Sequence, residues 1–258
     1  MKPWIVILGA SSGFGAATAR AFAAEGHPIF GAHMDRRGTM PQVEALIEEL
    51  RGHGVPVVFH NGNAADDTKR AAGLDALTAA MEEHGGKIGV LLHSLAFGTL
   101  RPYFGDNQLG RRHIDMTLDV MAHSLVYWTQ DIIARDLFDD AARVFAMTSS
   151  GSISVWPSYG AVSAAKCALE SHIRQIALEL APRNITANAI MAGVTMTAAL
   201  KKIPGSELIA KTALSRNPSG RLTTPEDVAQ CIVTLSGPGT GWMTGNVIRV
   251  DGGETISG

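Results

Sequence analysis

A tyrosine and a lysine in the second half of the chain have the types and the spacing to do chemistry together. Tyr159 and Lys166 are seven positions apart, about two turns of a helix, so their side chains point to the same face. A tyrosine hydroxyl can donate a hydrogen bond to a carbonyl or enolate oxygen, and a nearby ammonium lowers the pKa of the phenol. The pair predicts acid–base chemistry, although the same spacing also arises by chance on an ordinary helix.

A glycine-rich segment near the start of the chain has the form of a phosphate-binding turn. It reads Gly9-Ala10-Ser11-Ser12-Gly13-Phe14-Gly15 and stands between an apolar run and a helical pattern. Glycines permit positive φ angles and let the backbone approach a pyrophosphate, which the N–H groups and the dipole of the following helix attract. Ser11 and Ser12 add hydroxyl donors. The segment predicts a dinucleotide site, and a plain glycine-rich turn is the alternative.

The residues after the second apolar run bear on which dinucleotide binds. An acid at that strand end would hold the ribose 2′-hydroxyl of NAD, whereas arginines suit the 2′-phosphate of NADP. Here His33 and Met34 close the run, and Asp35, Arg36 and Arg37 follow. The arginines favour NADPH as the cofactor. NADH, with Asp35 on the ribose, and a solvated charged turn are the alternatives.

Short apolar runs alternate with longer amphipathic ones along the chain. The runs are apolar on both faces, as parallel strands buried on both sides are; they are Trp4–Leu8, Pro28–Ala32, Val55–Phe59, Ile88–His93, Arg143–Thr148, Ile185–Ile190 and Asn246–Val250. Helical patterns lie between them at Phe14–Glu25, Pro41–His53, Asp66–His84, Arg112–Leu137, Tyr159–Leu180 and Pro225–Ser236. We predict one α/β domain over residues 1–258, a Rossmann-like, doubly wound sheet of seven parallel strands with helices on both faces.

Two long connections leave the carboxyl ends of predicted strands, where open α/β sheets bind ligands. Residues 96–110 are polar and glycine-rich, and residues 192–222 hold only short helical pieces. Loops of this length inside a compact domain are usually functional. We expect the second of them, about residues 192–222, to form the substrate loop.

The composition excludes several classes of protein. The 258 residues carry 22 Lys and Arg against 24 Asp and Glu, which offers no basic surface to nucleic acid or to a membrane. No stretch reaches the roughly 18 consecutive apolar residues of a membrane span. Two cysteines cannot form a disulfide framework, so we expect a cytoplasmic protein. The nine histidines show no metal-ligand spacing, and we expect no metal.

Three motifs in order make the chain resemble the short-chain dehydrogenase/reductase superfamily: the glycine turn, the Tyr159 and Lys166 helix, and the terminal stretch Thr244-Gly245 to Asp251-Gly252-Gly253. Most of that superfamily has Tyr-x-x-x-Lys, but here Val162 stands four residues before Lys166. The longer Tyr-x6-Lys spacing is similar to the divergent branch of enoyl-[acyl-carrier-protein] reductases, and His93-Ser94-Leu95-Ala96-Phe97 and Ala192-Gly193 agree with it. Shorter stretches at residues 99–102, 149–153 and 217–221 look most like its NADPH-dependent type III enzyme.

The resemblance implies a reaction. An enoyl reductase delivers hydride to Cβ of a conjugated thioester, and negative charge appears on the thioester oxygen as an enolate. Tyr159 would donate to that oxygen, and one well-aimed donor is worth ~3–4 kcal/mol; Lys166 would hold the nicotinamide ribose. Ketoreductases place a relay asparagine where this chain has Met121, which favours enoyl over keto reduction.

Motifs and resemblance together predict the site residues, with Tyr159 and Lys166 as the catalytic pair. The predicted cofactor-binding residues are Gly9, Ser11, Ser12, Gly13, Phe14, Gly15, His33, Arg36, Arg37, Asn63, Ala64, Ser94, Leu95, Ala96, Thr148, Lys166, Ala192, Gly193, Thr195 and Thr197. The predicted substrate-binding residues are Phe97, Tyr103, Ser149, Trp156, Tyr159 and Met196. A turn asparagine is the alternative for Asn63, a helix cap for Thr197, and core packing for Tyr103, Trp156 and Met196.

We therefore expect an NADPH-dependent enoyl thioester reductase of bacterial-type fatty-acid synthesis, whose small acyl substrate is carried by acyl carrier protein or CoA. The alternatives are an NAD(P)-dependent ketone or alcohol oxidoreductase of the same fold, acting on a 3-oxoacyl, steroid or polyketide substrate, and a non-catalytic nucleotide-sensing protein.

A homotetramer is also implied by the resemblance. The apolar positions of residues 112–137 spread over more than one stripe, which would leave a second apolar face for another subunit. We expect Leu125 and Trp128 to lie in that interface.

Overall fold

The fold is one sheet of seven parallel strands, in a computed structural model that describes residues 2–257. The strands are β1 (Trp4–Leu8), β2 (Ile29–His33), β3 (Val57–Asn61), β4 (Ile88–His93), β5 (Phe138–Ser149), β6 (Thr186–Ala192) and β7 (Val247–Val250). Their spatial order is β3-β2-β1-β4-β5-β6-β7, and every neighbouring pair is parallel. The order reverses between β1 and β4, which opens a crevice at the carboxyl ends of the strands. The predicted fold class is confirmed.

Helices cover both faces of the sheet. They are α1 (Gly13–Ala24), α2 (Met40–Arg51), α3 (Asp67–His84), α4 (Arg111–Leu118), α5 (Ser124–Ala134), α6 (Gly160–Leu180), α7 (Ser206–Arg216) and α8 (Pro225–Leu235). One apolar core joins the sheet to α3, α5 and α6, and a second core joins the other face to α1, α2 and α8. Because side chains alternate between faces along each strand, β1 contributes to both cores.

The helix predicted at Arg112–Leu137 is two helices joined by a π-helical turn. The turn occupies Asp119–His123, and the hydroxyl of Ser124 donates to the carbonyl of Val120 at 2.8 Å. The second helix, α5, ends at Ala134, and Leu137 already leads into β5. Wide turns of this kind are common at functional sites, and this one lies beside the cleft described below.

Two other boundaries differ from the prediction. Strand β5 begins at Phe138 rather than Arg143, because Phe138 pairs with Ile88 ahead of an irregularity in the register. The exposed Asp139 and Asp140 interrupt the apolar pattern there. Within residues 192–222, α7 is a helix of eleven residues, longer than the short pieces that were predicted.

The expected interface position of Leu125 and Trp128 is wrong. Both side chains are fully buried in the core of this chain, and the indole Nε1 of Trp128 donates to the carbonyl of Ala64 at 3.0 Å. The hydroxyl of the adjacent Tyr127 donates to Asp119, and Arg70 lies 5.3 Å from its ring centre. The Trp128 ring is therefore buried within this chain, whereas Tyr127 is partly exposed.

Cys167 and Cys231 are unpaired. Among residues 2–257, no helix has both the length and the apolar character that crossing a bilayer requires.

Candidate active site

The glycine turn between β1 and α1 forms one end of the site. Gly9 has a φ of +93°, and a Cβ at this position would overlap the backbone oxygen of Ser94, so only glycine lets β1 and β4 end this close together. α1 then starts at Gly13, and within the described residues the side chain of its N-cap, Ser12, makes no capping hydrogen bond. Gly13 and Phe14 line the crevice at this helix start. A helix start with uncapped N–H groups fits the pyrophosphate of a dinucleotide.

The crevice is a cleft of about 530 Å³ that runs along the carboxyl ends of the strands. This volume lies within the usual range of cofactor and substrate sites. Of the predicted cofactor residues, the following line it: Gly9, Ser11, Ser12, Gly13, Phe14, His33, Asn63, Ala64, Ser94, Leu95, Ala96, Thr148, Lys166, Ala192, Gly193, Thr195 and Thr197. Of the predicted substrate residues, Phe97, Ser149, Trp156 and Tyr159 line it.

Five predicted residues lie outside the wall of the cleft: Gly15, Arg36, Arg37, Tyr103 and Met196. Gly15 packs inside the turn against the carbonyl of Gly9, and the ring of Tyr103 packs on Gly160 at the start of α6. Met196 is half exposed, and both arginines are exposed.

Tyr159 sits at the N-cap of α6, one position before the helix starts. Its ring packs against Gly151, where an added Cβ would lie 2.5 Å from the ring carbon Cε1. Burial raises the pKa of Tyr159, and the hydroxyl of Ser149 partly offsets that by hydrogen bonding. The phenol is therefore protonated at neutral pH and can donate a hydrogen bond into the cleft.

Lys166 lies two turns along α6 and is almost completely buried. Its Nζ donates to the carbonyl of Met147 at 2.7 Å and reaches that of Leu95 at 3.5 Å. Burial lowers the pKa of Lys166 to about 8, and the negative charge of Glu170 acts in the opposite direction. The ammonium is thus fixed beside the ends of β4 and β5, facing the same cleft as Tyr159.

Apolar groups occupy the wall between the tyrosine and the lysine. Val162 and Met121 are buried and line the cleft. Gly98, in the loop after β4, presses on them: a Cβ there would lie 2.7 Å from Val162 Cγ2 and 3.1 Å from Met121 Sδ. Neither residue can donate or relay a proton at this point.

Asp35 lines the adenosine end of the cleft, at the exit of β2. Its carboxylate accepts a hydrogen bond from His33 Nδ1 at 3.0 Å. Burial opposes ionisation of Asp35, but hydrogen bonds from Ser11, Thr39 and His33 outweigh it and lower the pKa of the carboxyl group. Asp35 therefore ties the end of β2 to the glycine turn, and His33 holds Asp35.

Several predicted cofactor residues also support the local backbone. Asn63 accepts a hydrogen bond from the N–H of Ala65, and Thr197 from the N–H of Leu200, as a turn asparagine and a helix cap do. The hydroxyl of Thr148 donates to Glu170 at 2.5 Å.

The loop that follows β6 closes the substrate end. The indole Nε1 of Trp156 donates to the carbonyl of Pro204 at 3.1 Å, which joins the segment before α6 to this loop. Near the start of the same loop, the N–H of Val194 donates to Glu254 at 2.9 Å.

The sequence prediction missed several apolar residues of this wall: Leu100, Val155, Leu200, Ile203 and Ile209. Residues 192–222 were identified as a substrate loop, but no periodicity showed which of their side chains turn inwards.

No group of three or more His, Cys, Asp and Glu side chains is placed to hold a metal ion in the part of the chain that the structure describes.

Comparison with known proteins gives one consistent family. The family model described as "Enoyl-(Acyl carrier protein) reductase" matches residues 9–255. The 1-cyclohexenylcarbonyl-CoA reductase of Streptomyces collinus is 28% identical over 97% of this chain and 86% of its own length. The NADH-dependent enoyl-[acyl-carrier-protein] reductase FabI of Aquifex aeolicus is 28% identical over 84% of this chain and 79% of its own.

A solved structure agrees with the sequence relatives. The enoyl-[acyl-carrier-protein] reductase (NADH) from Aquifex aeolicus VF5 superposes with a TM-score of 0.83 at 26% identity, over 99% of this chain and 97% of that one. Together with the glycine turn, the Tyr159 and Lys166 helix and the parallel sheet, these matches make the chain a member of the enoyl-(acyl carrier protein) reductase family within the short-chain dehydrogenases/reductases.

Proposed function

We propose that this protein reduces the trans-2 double bond of an enoyl thioester with hydride from NADPH, as in bacterial-type fatty-acid elongation. The observation that carries the proposal is the wall of the cleft around α6. There Tyr159 and Lys166 face the cleft with the buried Val162 between them. Tyr159 offers a hydroxyl donor and Lys166 an ammonium. Val162, at the position where most of the superfamily has its tyrosine, offers no proton donor.

The residues have separate tasks in this reaction. A bound nicotinamide dinucleotide supplies the hydride. The protonated phenol of Tyr159 donates a hydrogen bond to the thioester oxygen while negative charge builds on it, and Ser149 orients that phenol. The ammonium of Lys166, fixed on the carbonyl of Met147, holds the ribose and keeps the field positive. Trp156, Ile203 and Ile209 line the cleft and provide apolar contact for an acyl chain.

Keto reduction would require different residues in the same wall of the cleft. It requires full protonation of the substrate oxygen, commonly through a relay, and the thioether of Met121 cannot take part in one. The buried position of Met121 under Gly98 therefore supports enoyl reduction over the ketone or alcohol oxidoreductase.

The test follows the absorbance of NADPH and NADH with crotonyl-CoA, and separately with an acetoacetyl thioester. We expect consumption with the enoyl substrate and little with the ketone. Tyr159→Phe should lower kcat about 10²–10³-fold without changing the melting temperature. Preferential turnover of the acetoacetyl thioester would identify a ketoreductase, and no turnover despite cofactor binding would favour the nucleotide-sensing protein.

The choice of NADPH over NADH depends on which residues can contact the 2′-phosphate that only NADPH carries. His33 Nδ1 already donates to the carboxylate of Asp35 at 3.0 Å, so one of its acceptor sites is taken. Arg36 and Arg37 are exposed at the same strand end, and neither is in an ion pair within residues 2–257. These contacts support NADPH, although the Aquifex relative is named for NADH.

The carrier of the acyl group is also a proposal. One relative is named for a CoA thioester and another for acyl carrier protein. Parallel assays with crotonyl-CoA and with crotonyl-acyl carrier protein compare the two carriers; we expect a lower KM for the carrier-protein substrate, and an equal or higher KM would assign CoA as the carrier.

A homotetramer is proposed with a corrected interface. β7 is one of the two edge strands of the sheet, and near it Trp242 is 99% exposed, with Met243 and Val247 also exposed. An apolar edge of this kind is most simply covered by a second copy of the chain. Light scattering should give about four times the 27.2 kDa of one chain, and Trp242→Glu should lower that mass. A wild-type mass near one chain refutes the tetramer.

A further inference from the structure

Three consecutive residues at the end of β5 hold three side chains of the α6 region. The carbonyl of Met147 accepts from Lys166, and the hydroxyl of Thr148 donates to Glu170 at 2.5 Å. Ser149 acts on the phenol of Tyr159, whose pKa it lowers against the effect of burial. Two of these three side chains already have a task in the proposed reaction, and Glu170 has none.

Glu170 stands one turn beyond Lys166 on α6, on the same face of the helix. Its carboxylate reaches the buried Thr148, between the two strand residues that anchor the catalytic pair. Glu170 also borders a second cavity of about 440 Å³ behind the strand, with Ile153, Met191, Val247 and Arg249. The carboxylate therefore lies between this cavity and the helical turn that carries Lys166.

A buried ammonium is costly unless negative charge or hydrogen bonds compensate it. Both hydrogen bonds of Lys166 go to neutral carbonyls. The charged and titratable groups that face the Lys166–Glu170 pair are His93 from β4, Tyr159 at the start of α6 and Arg249 from β7. His93 and Arg249 add no negative charge, and Tyr159 is neutral at pH 7.

The geometry points to Glu170 as a positioning residue of the active site, which fixes Thr148 between the anchors of Tyr159 and Lys166 and places a negative charge one helical turn from the buried ammonium. This inference rests on the proposed function for its catalytic consequence. The electrostatic part concerns cofactor binding and stands without it.

The test compares Glu170→Gln with wild type in two assays across pH. The amide keeps an acceptor for Thr148 and removes the charge. Lys166 should then lose its proton at lower pH. Cofactor affinity, followed by NADPH fluorescence, falls at alkaline pH when Lys166 is deprotonated, and this alkaline limb should shift to lower pH by at least about half a unit. Affinity near pH 6.5 should be unchanged. The alkaline limb of kcat/KM with crotonyl-CoA should move by the same amount.

Two further variants serve as controls. Glu179→Gln removes an exposed carboxylate from the same helix and should leave both limbs in place. Glu170→Asp keeps the charge but draws back from Thr148, so its alkaline limb should stay while its plateau kcat falls several-fold. If Glu170→Gln does not fold, Glu170→Asp is used for the test instead. A plateau kcat of Glu170→Asp equal to that of wild type overturns the positioning role.

The outcomes separate the two proposals. An unshifted alkaline limb of cofactor affinity in a folded Glu170→Gln variant overturns the inference, whatever the substrate. A shifted limb without any turnover of crotonyl-CoA upholds the inference and refutes the proposed reaction.

Discussion

Removing the two arginines that follow β2 tests the choice of cofactor. The double variant Arg36→Ala/Arg37→Ala removes two exposed positive charges that follow Asp35 outside the wall of the cleft. A charge-assisted hydrogen bond contributes about 1.5–3 kcal/mol, and the lower figure applies because both guanidinium groups are exposed to solvent. That loss raises the KM of NADPH about tenfold for each arginine that touches the phosphate.

The assay measures initial rates with crotonyl-CoA while NADPH and NADH are varied in turn. The KM of NADH should change by less than about twofold, since NADH has no 2′-phosphate to lose a contact. Arg51→Ala is the matched control, because Arg51 is an exposed arginine that pairs with Glu48 on α2. Raised salt should weaken NADPH binding to wild type and not to the double variant.

Two results would refute this reasoning. One is a wild-type protein that already prefers NADH; the other is a double variant in which both cofactors weaken equally. In either case Asp35 becomes the ribose ligand, and Asp35→Asn should then weaken NADH more than NADPH.

The remaining predictions concern the lysine and the two tethers of the substrate loop. Lys166→Met should raise the free energy of unfolding at about pH 7, because it removes a buried ammonium. This gain should vanish as pH rises from about 8, the pKa of Lys166 in the fold, towards the ~10.4 of an unfolded lysine. Urea titrations of the variant and the wild type at about pH 7 and about pH 10 measure the gain. An equal gain at the two pH values contradicts the prediction. Trp156→Phe removes the hydrogen bond to Pro204, worth about 1 kcal/mol, so limited proteolysis within residues 192–222 should speed up and the KM of the acyl substrate should rise several-fold. Glu254→Ala leaves the N–H of Val194 without its acceptor and should lower the melting temperature. Glu254→Gln keeps an acceptor and should not lower it. Equal melting temperatures of Glu254→Ala and wild type would show that this hydrogen bond is dispensable.

Local patterns sufficed where burial and backbone angles leave a signature in consecutive residues, but they missed the π-helical turn at Asp119–His123 and the length of α7. The run Trp4–Leu8 and the glycines after it predicted both β1 and the turn, because burial on two faces and positive φ angles each leave a sequence signature. The start of β5 had no such signature. Its exposed Asp139 and Asp140 belong to a strand only through pairing with β4, which is a distant segment.

Contacts between distant segments account for the other differences. The helical pattern at residues 112–137 did not show that Arg70 of α3 contacts the Tyr127 ring or that Trp128 reaches Ala64. At the site, the same limit applies to Asp35, which is held by Ser11 from another βα turn. The sequence could place Tyr159 and Lys166 on one cleft because the N-cap and the second turn of α6 are close in the chain.

The close packing of Gly98 on Val162 constrains how this protein could evolve towards another chemistry. A tyrosine at position 162 would recreate the spacing of most of the superfamily, yet its ring needs space next to a backbone that already touches the smaller valine. The loop after β4 would have to move away first, and that movement would uncover Met121 and widen the cleft beside Tyr159. A lineage that changes one residue at a time must therefore pass through a poorer enzyme. Ketoreductase activity should appear in selection experiments only when position 162 and the loop at residues 96–110 are varied together.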